Sequence, residues 1–554
     1  MEIKTNKRAI FISIIFALAF SLAMCIGYAI QSTGELMVRD GLWWTSILGV
    51  WIIGGVAFYF ILTRIRLIKE TEANETNASL NIKYFLLAWT IILLCWIPVF
   101  LAEYPGFFVY DATDEYVEVA TRTFSTHHPL IHVLMLGGAV CAGNKLFGAY
   151  NVGIAMYTLF QMALVSIIFA CIAYRARTKL GFCLSVAWYG IFPTVVMFAL
   201  CSAKDTLFGA FVLAACMLST DLIRKLKTGV DYRDFIKTNK IDISLLFISL
   251  CFMMLFRNNG MYGFLVYLAT VVIYMLCADI KHSESGIKKF KRTIVVLTYM
   301  ICVLGAYKLA DRGLVLATHA SDIESQEMLT VPIQQLARTW HVYRGEMTTE
   351  ELQNLYEVLP ETALAHYTPS LSDPVKAQFN NEAYSKWPGK YIRLWFSLLR
   401  EHPLGYINAW LNTSYGFYYP GTVVNVYEGH EVNTFTYTDS SYFGYEVEYP
   451  GERHSVIPII DKFYRWLSLD DDIQRIPVIS LVFSMASYFW LYVAIACVLI
   501  YRRCGRELLV ALSLPMGIWL TLLLGPTFLP RYTVFLWFML PWILQEFKKS
   551  LSGD

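Results

Sequence analysis

Between Ala9 and Ile30 the chain runs for 22 residues without a charged side chain, enough for a helix to cross the roughly 30 Å hydrocarbon core of a bilayer. Eleven further apolar runs follow, at about 43–63, 83–101, 150–174, 181–200, 205–223, 243–257, 261–278, 292–310, 477–501, 506–524 and 530–546. This pattern predicts a polytopic α-helical membrane protein of about twelve transmembrane helices. A thirteenth run, 130–147, is short and carries His132, Gly137, Gly138 and Gly143. It is predicted as an interfacial or re-entrant helix, because counting it as a span would invert every later basic loop.

Charge decides the orientation. With the amino terminus inside, the cytoplasmic segments collect 26 Lys and Arg, whereas the short outer segments hold six: Arg39, Arg122, Lys145, Lys204, Arg257 and Arg531. The positive-inside rule therefore predicts both termini in the cytoplasm, with a bacterial plasma membrane as the expected location. No small-residue cleavage site follows the first run, so it is expected to stay as a helix rather than leave as a signal peptide. Three regions result: 1–310, a membrane module with an acidic first outer loop at 102–149; 311–476, a small mixed extracytoplasmic domain; and 477–554, the last membrane helices. Within the second, TTEELQNLYEVL reads as a helix capped by Thr348 with Glu351 as its partner.

Composition agrees with a lipid environment. Hydrophobic residues make up 56% of the chain and charged ones 16%, against about a quarter in soluble domains, and the mean hydropathy is +0.48. The net charge of +2 gives no reason to expect a nucleic-acid partner. Twelve cysteines are present, none of them between 310 and 476 and none in a CxxC pair, so neither a zinc site nor a disulfide framework is predicted.

The expected chemistry lies in four outer segments. The first outer loop brings Asp111, Asp114, Glu115, His127 and His128 close together in sequence. Clustered carboxylates suit general-base chemistry or a divalent metal, although Asp111 also reads as a solvated turn and the histidines as the cap of an interfacial helix. SAKDTLF adds Lys204 and Asp205, with Ser202 and Asp205 spaced as a capping box. LFRNNGMYG adds Arg257 and Asn258 in a tight hairpin that does not need the guanidinium, and PTFLPRYT adds Arg531, which also reads as a snorkelling interface residue. Lys204, Arg257 and Arg531 are expected to hold a lipid phosphate. Asp205, His127, His128 and Asn258 are expected to support them.

This order of features, with HHPLIHVLMLGG followed by NKLFG after an acidic outer loop, resembles the GT-C superfamily of polyprenyl-phosphate-sugar-dependent membrane glycosyltransferases. Within it, the chain looks like the protein-mannosyltransferase, lipid A arabinosyltransferase and Rgt-like branch. The resemblance covers about residues 83–225, extends thinly to Arg257 and Arg531, and does not reach 311–476. It implies a catalytic carboxylate in the first outer loop, here Asp111 with Asp114 in reserve and Glu115 beside it. It also implies a lipid-linked sugar donor, a glycan, lipid or protein acceptor, and in some members a divalent cation (Mg or Mn), which the same three carboxylates would bind. A polytopic transporter or a lipid or polysaccharide flippase is the alternative; the absence of a GxxxxGK[ST] loop argues against an ATP-driven pump.

Overall fold

The computed structural model describes residues 6–65, 82–226, 232–280, 290–322, 324–426, 430–432, 435–437 and 442–552. Among them the protein is helical apart from isolated bridges and one hairpin of two three-residue antiparallel strands, His430–Val432 and Phe435–Tyr437. The mixed domain expected over 311–476 is therefore helical except for that hairpin. Its Thr348 capping box with Glu351 is present.

All twelve apolar runs are helical, yet fewer qualify as spans than expected. Among the described residues, nine helices are long and apolar enough to cross a membrane. The pair Lys179–Ile191 and Pro193–Ala199, bent by 58°, makes up to ten. The difference from twelve has local causes. Lys240–Phe256 and Arg506–Leu522 are 17 residues each, the first stopped by the Arg257–Gly260 turn. Val534–Leu551 carries Glu546, Lys548 and Lys549 in its last turns.

Leu130–Phe147 is one of the nine by length and hydropathy, but it packs obliquely. His132 meets Tyr157, and the Gly143 backbone meets that of Gly153. These contacts are about 16 Å apart along one helix and about 6 Å along the other, at 1.5 Å per residue. A Cβ on either glycine would strike the backbone of the other helix, so the close crossing requires both. One end of this helix meets Lys204 through His128; past the other, Asn151 bonds the Glu452 backbone.

Lys204–Leu226 forms the axis of the bundle, with every side chain from Asp205 to Thr220 buried. It packs against Lys240–Phe256, Arg506–Leu522 and Val534–Leu551. Several basic residues expected inside gather at one end: Arg175 pairs with Asp221, Arg224 with Glu546, and Arg502 bonds the Leu62 carbonyl. The acidic loop lies at the opposite end.

Beyond that end, residues 325–406 form a helical cap with its own core, built around Leu336, Leu355, Leu398 and Tyr406. Arg338 fastens the cap to Gly34 and Glu35, between the first two spans. Segment 442–476 instead enters the main core, where Tyr442, Phe443 and Tyr464 pack.

Candidate functional site

Phe107 and Cys201 pair as a short parallel bridge, stitching the first outer loop to the entrance of the axial helix. Gly106 makes the approach possible: its φ is +123°, and a Cβ there would lie 2.5 Å from the Thr158 hydroxyl. Tyr110 follows in a left-handed conformation, φ 67°, that an aromatic residue rarely adopts. Its fully buried ring is held by the Arg531 guanidinium 4.6 Å above it, and its hydroxyl accepts from the Gly444 amide at 2.9 Å. The strained backbone delivers Asp111 to the head of the Ala112–Thr121 helix.

Asp111 occupies the N-cap position without capping through its side chain. Its carboxylate accepts instead from Lys204 at 2.7 Å and from Arg531 at 3.2 and 3.4 Å. Burial alone would raise its pKa, but Arg531, Lys204 and His128 lower it more, and the carboxyl titrates well below its ordinary range. Lys204 stands in the first turn of a helix, where the dipole disfavours a cation; Asp111 offsets that. His128, with its pKa held low by burial and by Lys204, accepts from the ammonium through Nδ1 at 3.0 Å.

Asp114 has a different environment. Burial first, then the negative charges of Asp111 and Glu115, push its carboxyl up to about 6. Glu115 points the other way: it is buried, bonded to His132, and 3.9 Å from Lys204. His132 continues to Tyr157 at 2.7 Å, and Tyr157 donates to Gln161.

Arg257 pairs with the buried Asp205 and lies over the Tyr532 ring at 4.8 Å, while Arg531 lies 4.9 Å from the same ring. The tyrosine thus separates two guanidiniums. The reading of Arg257 as a guanidinium without a structural task is corrected here, because it neutralises a carboxylate that is 1% exposed. Asp205 likewise does more than cap its helix.

These groups surround a cavity of about 800 Å³ lined by Asp111, Asp114, His127, His128, Lys204, Arg257, Asn258 and Arg531. Glu115 and Asp205 stand behind its wall rather than in it. The cap supplies the far side, where Lys376 reaches Glu327 at 2.8 Å and Asp373 at 3.1 Å. Burial would lower the Lys376 pKa, but Asp373 and Glu327 raise it. Glu327 in turn lies 3.9 Å from His127. Sequence reasoning missed Glu327, Asp373 and Lys376, which sit in a segment without motif or resemblance.

Asp111, Asp114 and Glu115 do not fit a divalent-cation site in this arrangement. The Asp111 oxygens already face Lys204 and Arg531, and a Glu115 oxygen faces His132. Among the described residues, the only carboxylates whose oxygens converge closely enough are Asp470, Asp471 and Asp472, away from the cavity.

No curated protein and no solved structure matches the chain. A family model does, over residues 118–550, a range that holds Lys204, Arg257 and Arg531 and begins just after Asp111 and Asp114. The chain therefore belongs to DUF6020, a family of unknown function.

Proposed function

We propose that this membrane protein is a glycosyltransferase that moves a sugar from a polyprenyl-phosphate donor to a cell-envelope acceptor, at the outer face of a bacterial plasma membrane and with both termini cytoplasmic. The observation that carries the proposal is the cavity, in which three cations face a carboxylate of raised pKa. Transfer from a lipid phosphate develops charge on both sides of the transition state. A base must take the acceptor proton, and cations must hold the departing phosphate.

Asp114 suits the first task. A carboxylate that titrates near 6 is ionised at neutral pH, yet accepts a proton more readily than one of ordinary acidity. Asp111, held by Lys204 and Arg531, is too acidic for that role and instead orients the two cations. The acceptor oxygen attacks the anomeric carbon as Asp114 takes its proton. The bond from that carbon to the phosphate oxygen breaks, and Lys204, Arg257 and Arg531 take up the charge on the phosphate. Direct displacement inverts the anomeric centre.

A transporter or flippase would place its binding charges near the bilayer midplane. Here the cations line a cavity beyond one end of the axial helix. The test is to incubate purified protein in lipid with polyprenyl-phosphate sugars and envelope acceptors, following both substrates by mass spectrometry. Release of polyprenyl phosphate with a glycosylated acceptor supports the proposal. Movement of intact donor between leaflets without bond cleavage would overturn it.

A further inference from the structure

Pro458–Leu469 is a twelve-residue helix with two apolar faces. Tyr464 and Leu467 point inward to the main core. A second stripe, Ile459, Phe463 and Trp466, is spaced i, i+4, i+7 and shares one side of the helix. These side chains are 77%, 46% and 40% exposed, and Val456, just ahead of the helix, is 68% exposed. Burying only half of the apolar circumference leaves a surface that water solvates poorly.

The position of the stripe identifies what covers it. The Val456 amide donates to the Leu101 carbonyl at 2.9 Å. Leu101 belongs to the last turn of Ile82–Ala102, a candidate membrane span whose outer side chains Leu94, Ile97 and Leu101 are themselves exposed. The stripe thus continues a lipid-facing surface at the end of a span. Its composition fits the headgroup boundary: aromatic Phe463 and Trp466 for the interfacial layer, and exposed Lys462 beside them for lipid phosphates.

We infer that Pro458–Leu469 is a membrane-seated helix, with Ile459, Phe463 and Trp466 immersed in the interfacial layer of the bilayer. The inference does not depend on the glycosyltransferase proposal. The seat adjoins the first outer loop. On its inner side the Asp461 carboxylate accepts from Tyr445, whose hydroxyl also reaches Glu103, and Glu103 pairs with Arg453. A helix fixed in lipid at this point sets the height of the loop, and therefore of the cavity, relative to the headgroups.

The test is a small environment-sensitive fluorescent amino acid placed at position 463 of the full chain, and separately at 459, in phosphatidylcholine–phosphatidylglycerol vesicles. A third label at Glu452, which is 82% exposed, serves as the aqueous control. Nitroxide lipids labelled near the headgroup should quench 463 and 459 severalfold more than 452, and aqueous iodide should quench them severalfold less. Equal iodide quenching at all three positions would overturn the inference by showing a water-facing stripe. Protection of 463 and 459 from both quenchers would overturn it in favour of a second copy of the chain or another protein on this face. Agreement between 463 and 459 guards against a local effect of either substitution.

Discussion

Lys204 and Asp111 are 93 residues apart in the chain, and their charged groups lie 2.7 Å apart in space. The pair sets a cation at the head of the most buried helix and ties the first outer loop to it. Arg531, 420 residues from Asp111, takes the remaining side of the same carboxylate. Three distant segments therefore share one charge-balanced junction, and its strength depends on Asp111 staying ionised.

Asp111→Asn should reveal that dependence. The folded-state pKa of Asp111 is depressed, so its stabilisation is present at neutral pH and is lost as pH falls below the ordinary carboxylate value of about 3.9 and through the folded value. At pH 7 the variant should be less stable by roughly 1.5–3 kcal/mol, the usual worth of charge-assisted hydrogen bonds. The gap to wild type should narrow on acidification. Thermal melts in detergent at neutral pH and near the acid limit of solubility measure both. An unchanged gap would mean that the junction is not what Asp111 stabilises.

Arg257→Met should damage folding as well as transfer. It leaves Asp205 buried with one oxygen that already has no hydrogen-bond partner and with its cation removed. Breaking a buried pair in this way costs about 3–5 kcal/mol. Adding Asp205→Asn removes the orphaned charge and should restore much of the stability, but not activity with a lipid-phosphate donor. Restoration of both would assign Arg257 a purely structural role.

The membrane-helix pattern was legible because lipid imposes a one-dimensional rule: each apolar run is helical, and the runs that fail as spans do so through a turn at Arg257 or charge near Lys548. The three outer cations stood out for a related reason, since basic residues are scarce in short outer segments. Pairing was not legible. Nothing local to Arg257 says that Asp205 awaits it, and nothing in the Asp114–Glu115 pair says that one side chain faces the cavity while the other turns to His132. The cap contributors Lys376, Glu327 and Asp373 carry ordinary surface composition, and only tertiary packing brings them to the site.

Topology gives an independent check. Positions 177 and 503 should be reached by membrane-impermeant thiol reagents only from the cytoplasmic side, and positions 122, 350 and 452 only from outside. Single cysteines in a variant lacking the twelve native ones provide the labels. Labelling of 177 from outside would invert the arrangement and move the proposed site to the cytoplasm.

The pH dependence of transfer should separate Asp114 from its neighbours. A base that titrates at about 6 must be ionised to act, so kcat/KM should rise through about pH 6 and level off above it. Asp114→Asn keeps the shape but cannot accept the proton, and should lose about 10²- to 10⁴-fold in rate together with that pH limb. Its effect on stability should have the opposite sign from that of Asp111→Asn. A carboxyl whose folded pKa is raised destabilises the fold once pH exceeds its unfolded value, by an amount that reaches its full size above the folded value. At pH 7 the Asn variant should therefore melt at least as high as wild type. Glu118→Gln is the control on the same helix, since Glu118 bonds Ser125 and does not line the cavity; it should keep both the rate and the pH limb. Loss of the limb in Asp111→Asn rather than Asp114→Asn would return the base to Asp111, and retention of the limb in both would remove the general base from this loop.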